Sequence, residues 1–268
     1  MPGELEGKVS IITGGGSGMG RSTALMFARE GASVAIADVN DEGGEATAAQ
    51  IEDLGGNATF VHTDTSSEQD VVNLVSTTVD QFGRLDSMVT AAGISYADYV
   101  EGDEATDPFL HPDAATILNK PTERWQKVLD VNLTGVMLCA RESARQMMAE
   151  GHGGTIVNFA SIAAYAPSPG IMDYCVSKVG VIMLTRCFAV EFGPHGIRVN
   201  AVAPGPIETP MTESLRSTGS LQSQGGGLPL RRMAKPEEVS EAVLFFTSDR
   251  SSYVTGKTLG VDGGTNTV

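Results

Sequence analysis

The chain has little of what marks secreted, metal-binding or nucleic-acid-binding proteins. It holds three cysteines in 268 residues, Cys139, Cys175 and Cys187. They are too few and too widely spaced for a disulfide framework, a CxxC redox pair or a zinc site. Basic side chains are scarce, with 18 Lys and Arg against 33 Asp and Glu and a net charge of −15. Such a field repels phosphate backbones and anionic lipid headgroups, so neither nucleic acid nor a membrane surface is expected as a partner. No apolar run reaches the roughly 18 uncharged residues that a membrane span needs. Met1 to Glu6 lacks the basic-then-apolar pattern of an export signal, and the expected location is the cytoplasm. The four histidines, His62, His111, His152 and His195, share no metal-ligand spacing, and no catalytic metal is expected.

What is present suits one folded α/β unit. Hydrophobic residues make up 41% of the chain and charged residues 19%, with 32 glycines. That is enough apolar material for a sizeable core and too little charge for disorder. The length fits one large α/β domain over residues 1–268. Lys8 to Thr13, Ser33 to Asp38, Thr59 to His62, Ser87 to Ala91, Thr155 to Ala160 and Arg198 to Ala203 read as strands, alternating with segments of helical spacing. Most of these runs are apolar throughout, which predicts strands covered on both faces. The expected fold is therefore a doubly wound parallel sheet with right-handed crossovers. Ser214 to Gly227 carries Ser, Gly and Gln and almost nothing apolar, and reads as a mobile loop inside the domain.

The first strand runs into Thr13-Gly14-Gly15-Gly16-Ser17-Gly18-Met19-Gly20, and a helical pattern follows from Arg21. Glycines there permit a tight turn and close approach of the backbone to a pyrophosphate held at the helix N-terminus. A glycine-rich turn without a ligand has the same pattern. Asp38 adds to the case, because it ends the second strand eighteen residues after Gly20. An acid at that place accepts hydrogen bonds from an adenosine ribose and repels a 2′-phosphate, although a strand-end aspartate needs no ligand.

After Pro167-Ser168-Pro169-Gly170 a second helical pattern begins, with Val176, Val179, Gly180, Met183, Cys187 and Val190 on one face. Tyr174 and Lys178 stack on another face, where an ammonium near a phenol favours its phenolate. Tyr253 and Lys257 repeat the spacing, but Gly256 and the strand-like residues after it predict a turn, so that pair is structural. Asn132 lies on the apolar stripe of a helical segment from Glu123 to Met148, where its amide needs partners. Ser161 follows the fifth strand at the edge where ligands collect.

Together these residues resemble the short-chain dehydrogenase/reductase family over essentially the whole chain. The matched elements are the TGxxxGxG loop at Thr13 to Gly20, Asp64, Asn132 in Asp-Val-Asn-Leu-Thr-Gly, Ser161, the YxxxK at Tyr174 and Lys178, and Pro204-Gly205. The ending Val261-Asp262-Gly263-Gly264 is also similar to the family's. The resemblance implies that Tyr174 is the general acid/base, and that Lys178 holds the nicotinamide ribose and lowers the Tyr174 pKa. Ser161 would orient the carbonyl, and Asn132 would anchor a water. It further implies cofactor contacts from Gly14, Ser17, Gly18, Met19, Gly20, Asp38, Asp64, Thr65, Ala92, Gly93, Tyr174, Lys178, Pro204, Gly205, Ile207 and Thr209. The expected activity is hydride transfer between NAD and a secondary alcohol or ketone, in a homotetramer. An NADP-dependent carbonyl or 3-oxoacyl reductase, or a dinucleotide-binding regulator without chemistry, is the alternative.

Two departures stand out. The family's usual Asn-Asn-Ala-Gly is Thr90-Ala91-Ala92-Gly93 here, which puts the supporting side-chain hydrogen bonds in doubt. The connection after Gly93 is longer than usual by roughly a dozen residues. This acidic insertion, residues 94–121, reads either as a surface ornament or as a rim over the substrate pocket. Residues 206–230 resemble a mobile substrate lid.

Overall fold

A computed structural model of the chain describes residues 3–96, 99, 107, 110, 111, 113, 115–213 and 228–265. It begins β1 (Val9–Thr13), α1 (Gly18–Arg29), β2 (Ser33–Asp38), α2 (Asp41–Asp53), β3 (Asn57–His62), α3 (Glu68–Phe82) and β4 (Ser87–Thr90). After the insertion come α4 (Thr122–Leu129), α5 (Gly135–Glu150), β5 (Gly154–Phe159), α6 (Met172–Phe192), β6 (Ile197–Pro204), α7 (Pro236–Thr247) and β7 (Thr258–Val261). The strands form one sheet in the order β3-β2-β1-β4-β5-β6-β7, and every neighbouring pair is parallel. This is the doubly wound Rossmann-type sheet that the alternating runs predict.

Strand alternation divides the core between two faces. In β1 and β4, Ile11 and Met88 point to one side and join Leu74 of α3, Met147 of α5 and Phe188 of α6. Their neighbours Ile12 and Val89 point to the other and join Phe27 of α1, Ile51 of α2 and Val243 of α7. Central strands must therefore be apolar at every position, as all five residues of β1 are buried. The edge strand β7 has no buried residue and is shorter. The strand order reverses between β1 and β4, which opens a crevice at the carboxyl edge of the sheet.

One helical expectation is corrected. The segment read as one helix from Glu123 to Met148 is α4 and α5 joined by a turn of π-helix, Asp130–Thr134. That wider turn carries Asn132, and apolar spacing did not reveal it because each flanking helix keeps its own regular pattern on either side of the inserted residue. In α6 the face bearing Val176, Val179, Met183, Cys187 and Val190 points outward, with Val190 80% exposed. The face turned to the sheet is the one bearing Ser177, Lys178, Val181 and Thr185.

Tyr253 is fully exposed, between a 3₁₀ turn (Asp249–Ser251) and β7. It shares no helix face with Lys257, as expected from Gly256. Of the lid, residues 206–213 and 228–230 are described, whereas the loop from Ser214 to Gly227 lies outside the described residues. Most of the acidic stretch of the insertion lies outside them as well.

Candidate active site

The crevice is a cavity of about 370 Å³ between the glycine loop, the end of β2 and the segment after β4. Gly14 has φ +67°, and a Cβ there would stand 2.8 Å from the Ala92 backbone, so the loop can pass β4 only as glycine. At the start of α1, Ser17 makes no side-chain cap bond and the first turn carries no acid. The helix end faces the cavity with its positive potential unneutralised. Ser17, Gly18, Met19 and Gly20 line this wall, and Thr209 closes it from the opposite side. Asp38 both lines the cavity and supports the loop: Gly16 N–H donates to its Oδ2 at 2.9 Å and Asn40 N–H to its Oδ1 at 3.0 Å. Asp64 and Thr65 complete the far wall, and Asp64 is held by the Ser66 N–H at 2.9 Å and hydroxyl at 2.7 Å.

The altered motif after β4 keeps its supports by another route. Thr90 Oγ1 donates to Asn158 Oδ1 at 2.9 Å, and Asn158 Nδ2 donates to Thr185 Oγ1 at 3.0 Å, which ties β4, β5 and α6 together. Thr13 Oγ1 accepts the Ala92 N–H at 3.1 Å. Gly93 then passes so close to Asn132 that a Cβ would meet Oδ1 at 3.2 Å.

Asn132 is fully buried, and its amide clamps Ile94: Oδ1 accepts the Ile94 N–H and Nδ2 donates to the Ile94 carbonyl, each at 2.8 Å. Its backbone partner is thus fixed, and Nδ2 also lies 3.4 Å from Ser177 Oγ. Ser177 Oγ in turn donates to the Tyr174 carbonyl at 2.7 Å, so Asn132 connects the root of the insertion to α6. Ser161 Oγ accepts the Ala163 N–H at 3.1 Å, and the Ser161 hydroxyl lies near enough to the Tyr174 phenol to pull its pKa down. Lys178 donates to the Phe159 carbonyl at 2.9 Å, and its Nζ sits 5.5 Å from the centroid of the Tyr174 ring.

The proton chemistry differs from the expectation that Lys178 lowers the Tyr174 pKa. Burial pushes the Tyr174 phenol above its ordinary value, and only the Ser161 hydrogen bond pulls it down. Burial also lowers Lys178 to about 8. For both groups desolvation is the largest influence on the proton.

Five expected cofactor residues do not line the cavity: Tyr174, Lys178, Pro204, Gly205 and Ile207. Ile207 is buried in the core and bridges to Ala234, Pro204 ends β6, and Gly205 is bonded through its N–H to the Val261 carbonyl at 3.0 Å. They form the shelf beneath Thr209. The cavity also takes in Val39, Thr63, Tyr99, Lys127 and Val131, which carried no motif. Val39 and Thr63 follow β2 and β3 directly, and their position at the sheet edge was the available signal. Among the described residues no three His, Cys, Asp or Glu side chains gather as metal ligands would.

The family model described as enoyl-(acyl carrier protein) reductase matches residues 14–266. The chain is 40% identical to a short chain dehydrogenase/reductase, astE, of Aspergillus oryzae, over 97% of this chain and 95% of that one. It is 42% identical to a mitochondrial borneol dehydrogenase of Lavandula x intermedia, over 97% of this chain and 91% of the other. A crystal structure of a short-chain type dehydrogenase/reductase from Mycobacterium marinum superposes with a TM-score of 0.87 at 34% identity, covering 98% of this chain and 96% of that one. With the glycine loop, Ser161, Tyr174 and Lys178 gathered on such a sheet, the chain belongs to the short-chain dehydrogenase/reductase family.

Proposed function

We propose that this chain is an NAD-dependent dehydrogenase that interconverts a secondary alcohol and a ketone, working as one dinucleotide-binding and catalytic domain over residues 1–268. The observation that carries it is the meeting of Ser161, Tyr174 and Lys178 beside a cavity with an uncapped helix N-terminus at one wall and Asp38 at another. This cavity fits a dinucleotide, since the helix end suits a pyrophosphate and the Asp38 carboxylate suits a ribose diol. A bound nicotinamide would supply or accept the hydride.

The chain's own groups handle the rest. Ser161 and Tyr174 together bond the substrate oxygen and orient it. In ketone reduction the Tyr174 phenol donates its proton to that oxygen as the hydride arrives, and in alcohol oxidation it takes the proton back. Burial keeps the proton on the phenol at neutral pH, which suits the donor role. Lys178 holds a ribose hydroxyl, and Asn132 fixes the backbone of Ile94 at the mouth of the insertion. Residues 206–230 act as the substrate lid. The alcohol named for the borneol enzyme supports a secondary alcohol as the substrate class. The outward apolar stripe of α6 supports a homo-oligomer, and a tetramer is the expected form. A cytoplasmic location agrees with the acidic composition, and among the described residues no helix is long and apolar enough to cross a membrane.

Tyr174→Phe tests this reading. It should leave NADH binding within about twofold and reduce kcat by roughly 100-fold or more across a panel of alcohols and ketones. Tyr253→Phe, changed at a fully exposed ring, should be close to wild type. Equal loss in two folded variants would remove Tyr174 from the chemistry.

A further inference from the structure

The insertion left two readings open, a surface ornament or a rim over the substrate pocket, and the part of it next to β4 lines the nucleotide cavity. From Ile94, clamped at both backbone groups by Asn132, the chain turns so that the Tyr99 N–H donates to the Tyr96 carbonyl at 3.2 Å. Tyr96 is buried, and its ring meets Tyr99 edge-on with centroids 5.7 Å apart. Tyr99 packs on the apolar patch of Ile94 and Val128 and lines the cavity in common with Asp38, Val39 and Val131. Burial and the nearby Asp38 charge both hold its phenol above the ordinary tyrosine value, which keeps the ring uncharged.

A preorganised aromatic ring beside a ribose-binding carboxylate has a limited set of uses. The proton chemistry already has its groups in Tyr174 and Ser161. Tyr174 packs on the same patch of Ile94 and Val128 as Tyr99, but of the two rings it is Tyr99 that lines the cavity. A planar heterocycle in the cavity would find one wall of aliphatic side chains and one aromatic face. We propose that Tyr99 is a cofactor-retaining residue, whose ring packs on the adenosine half of the dinucleotide and slows its release. By this proposal the first turn of the insertion serves cofactor affinity, and substrate preference is set elsewhere. It rests on the dinucleotide reading given above.

The test uses the full chain with Tyr99 changed to Ala, Leu and Phe, and measures NADH affinity and dissociation rate by fluorescence. AMP and nicotinamide mononucleotide serve as half-cofactor competitors. The Ala and Leu variants should weaken NADH and AMP about tenfold, the size commonly lost with one aromatic–base contact. Most of the change should appear as faster release, with nicotinamide mononucleotide binding and substrate KM at saturating cofactor unaltered. Phe should stay within about twofold of wild type. Unchanged NADH and AMP binding in both the Ala and Leu variants overturns the proposal while leaving the dehydrogenase reading intact. A raised substrate KM at unchanged cofactor affinity also overturns it and returns this turn to the substrate side. Failure of the wild type itself to bind NADH or NADPH sinks the dinucleotide reading, and Tyr99 with it.

Discussion

Asp38 has a structural role that any test of its part in cofactor choice must respect. Its carboxylate holds the glycine loop through Gly16 and the turn through Asn40, so truncation would damage the fold of the site as well as its charge. Asp38→Asn keeps the shape and one of the two acceptors while removing the charge, so it disturbs the loop less than truncation although one of the Gly16 and Asn40 N–H groups loses its partner. An aspartate about 4 Å from a 2′-phosphate costs up to ~4 kcal/mol at an effective dielectric near 20, and half of that is roughly 30-fold in binding. The wild type should favour NAD in kcat/KM, and Asp38→Asn should shift the NADP/NAD ratio upward by one to two orders of magnitude, as that Coulomb estimate implies. An unchanged ratio in steady-state kinetics would reduce Asp38 to a loop support. Residues such as Gly14, Asp38, Tyr174 and Lys178 were legible because each sits at a fixed offset from a strand end or on a helix, where spacing fixes direction. Tyr99 was not legible, because it lies outside every helix and strand, where spacing does not fix the direction of a side chain.

At the scale of elements, the insertion is tied down at both ends. Near its far end Lys120 donates to Asp173 Oδ2 at 2.7 Å and to the Gly170 carbonyl at 3.2 Å. The side chain of Asp173 is 1% exposed, and its Oδ1 accepts the Tyr174 N–H at 3.0 Å. The ion pair therefore locks the first turn of α6, next to the proton donor. Removing one partner of a buried pair costs about 3–5 kcal/mol, because the other charge is left without compensation. Lys120→Met should accordingly destabilise the fold by about that amount. Adding Asp173→Asn, which keeps an acceptor for Tyr174, should recover at least ~1 kcal/mol of it. Denaturant unfolding of both variants decides this, and equal losses would mean that the carboxylate is solvated. None of this pairing was visible in the sequence, where Lys120 and Asp173 are separated by two helices and a strand. The π-turn at Asn132 was hidden for a related reason, since only packing against Ile94 reveals which way the extra residue is absorbed.

For the whole molecule, a parallel doubly wound sheet was legible in the apolar runs, but its strand order and the orientation of α6 were not. An apolar stripe on a helix normally marks its core side. Here Lys178 and Ser177 take that side, because the sheet edge offers them the Phe159 carbonyl and Asn132. The stripe of Val176, Val179, Met183 and Val190 is left facing solvent in the single chain. The same rigid rod thus holds the proposed proton donor, Tyr174, inside and a water-averse surface outside. If copies cover that surface in one another, mass action becomes part of the enzyme's kinetics. Rate per mole of chain should fall on dilution towards nanomolar protein, and Val179→Arg, which places a charge in the stripe, should sediment as a smaller species with a lower rate at every concentration. An unchanged sedimentation coefficient would show that the stripe stays wet, while a dilution-dependent rate would mean that assays of this protein report its association constant along with its turnover.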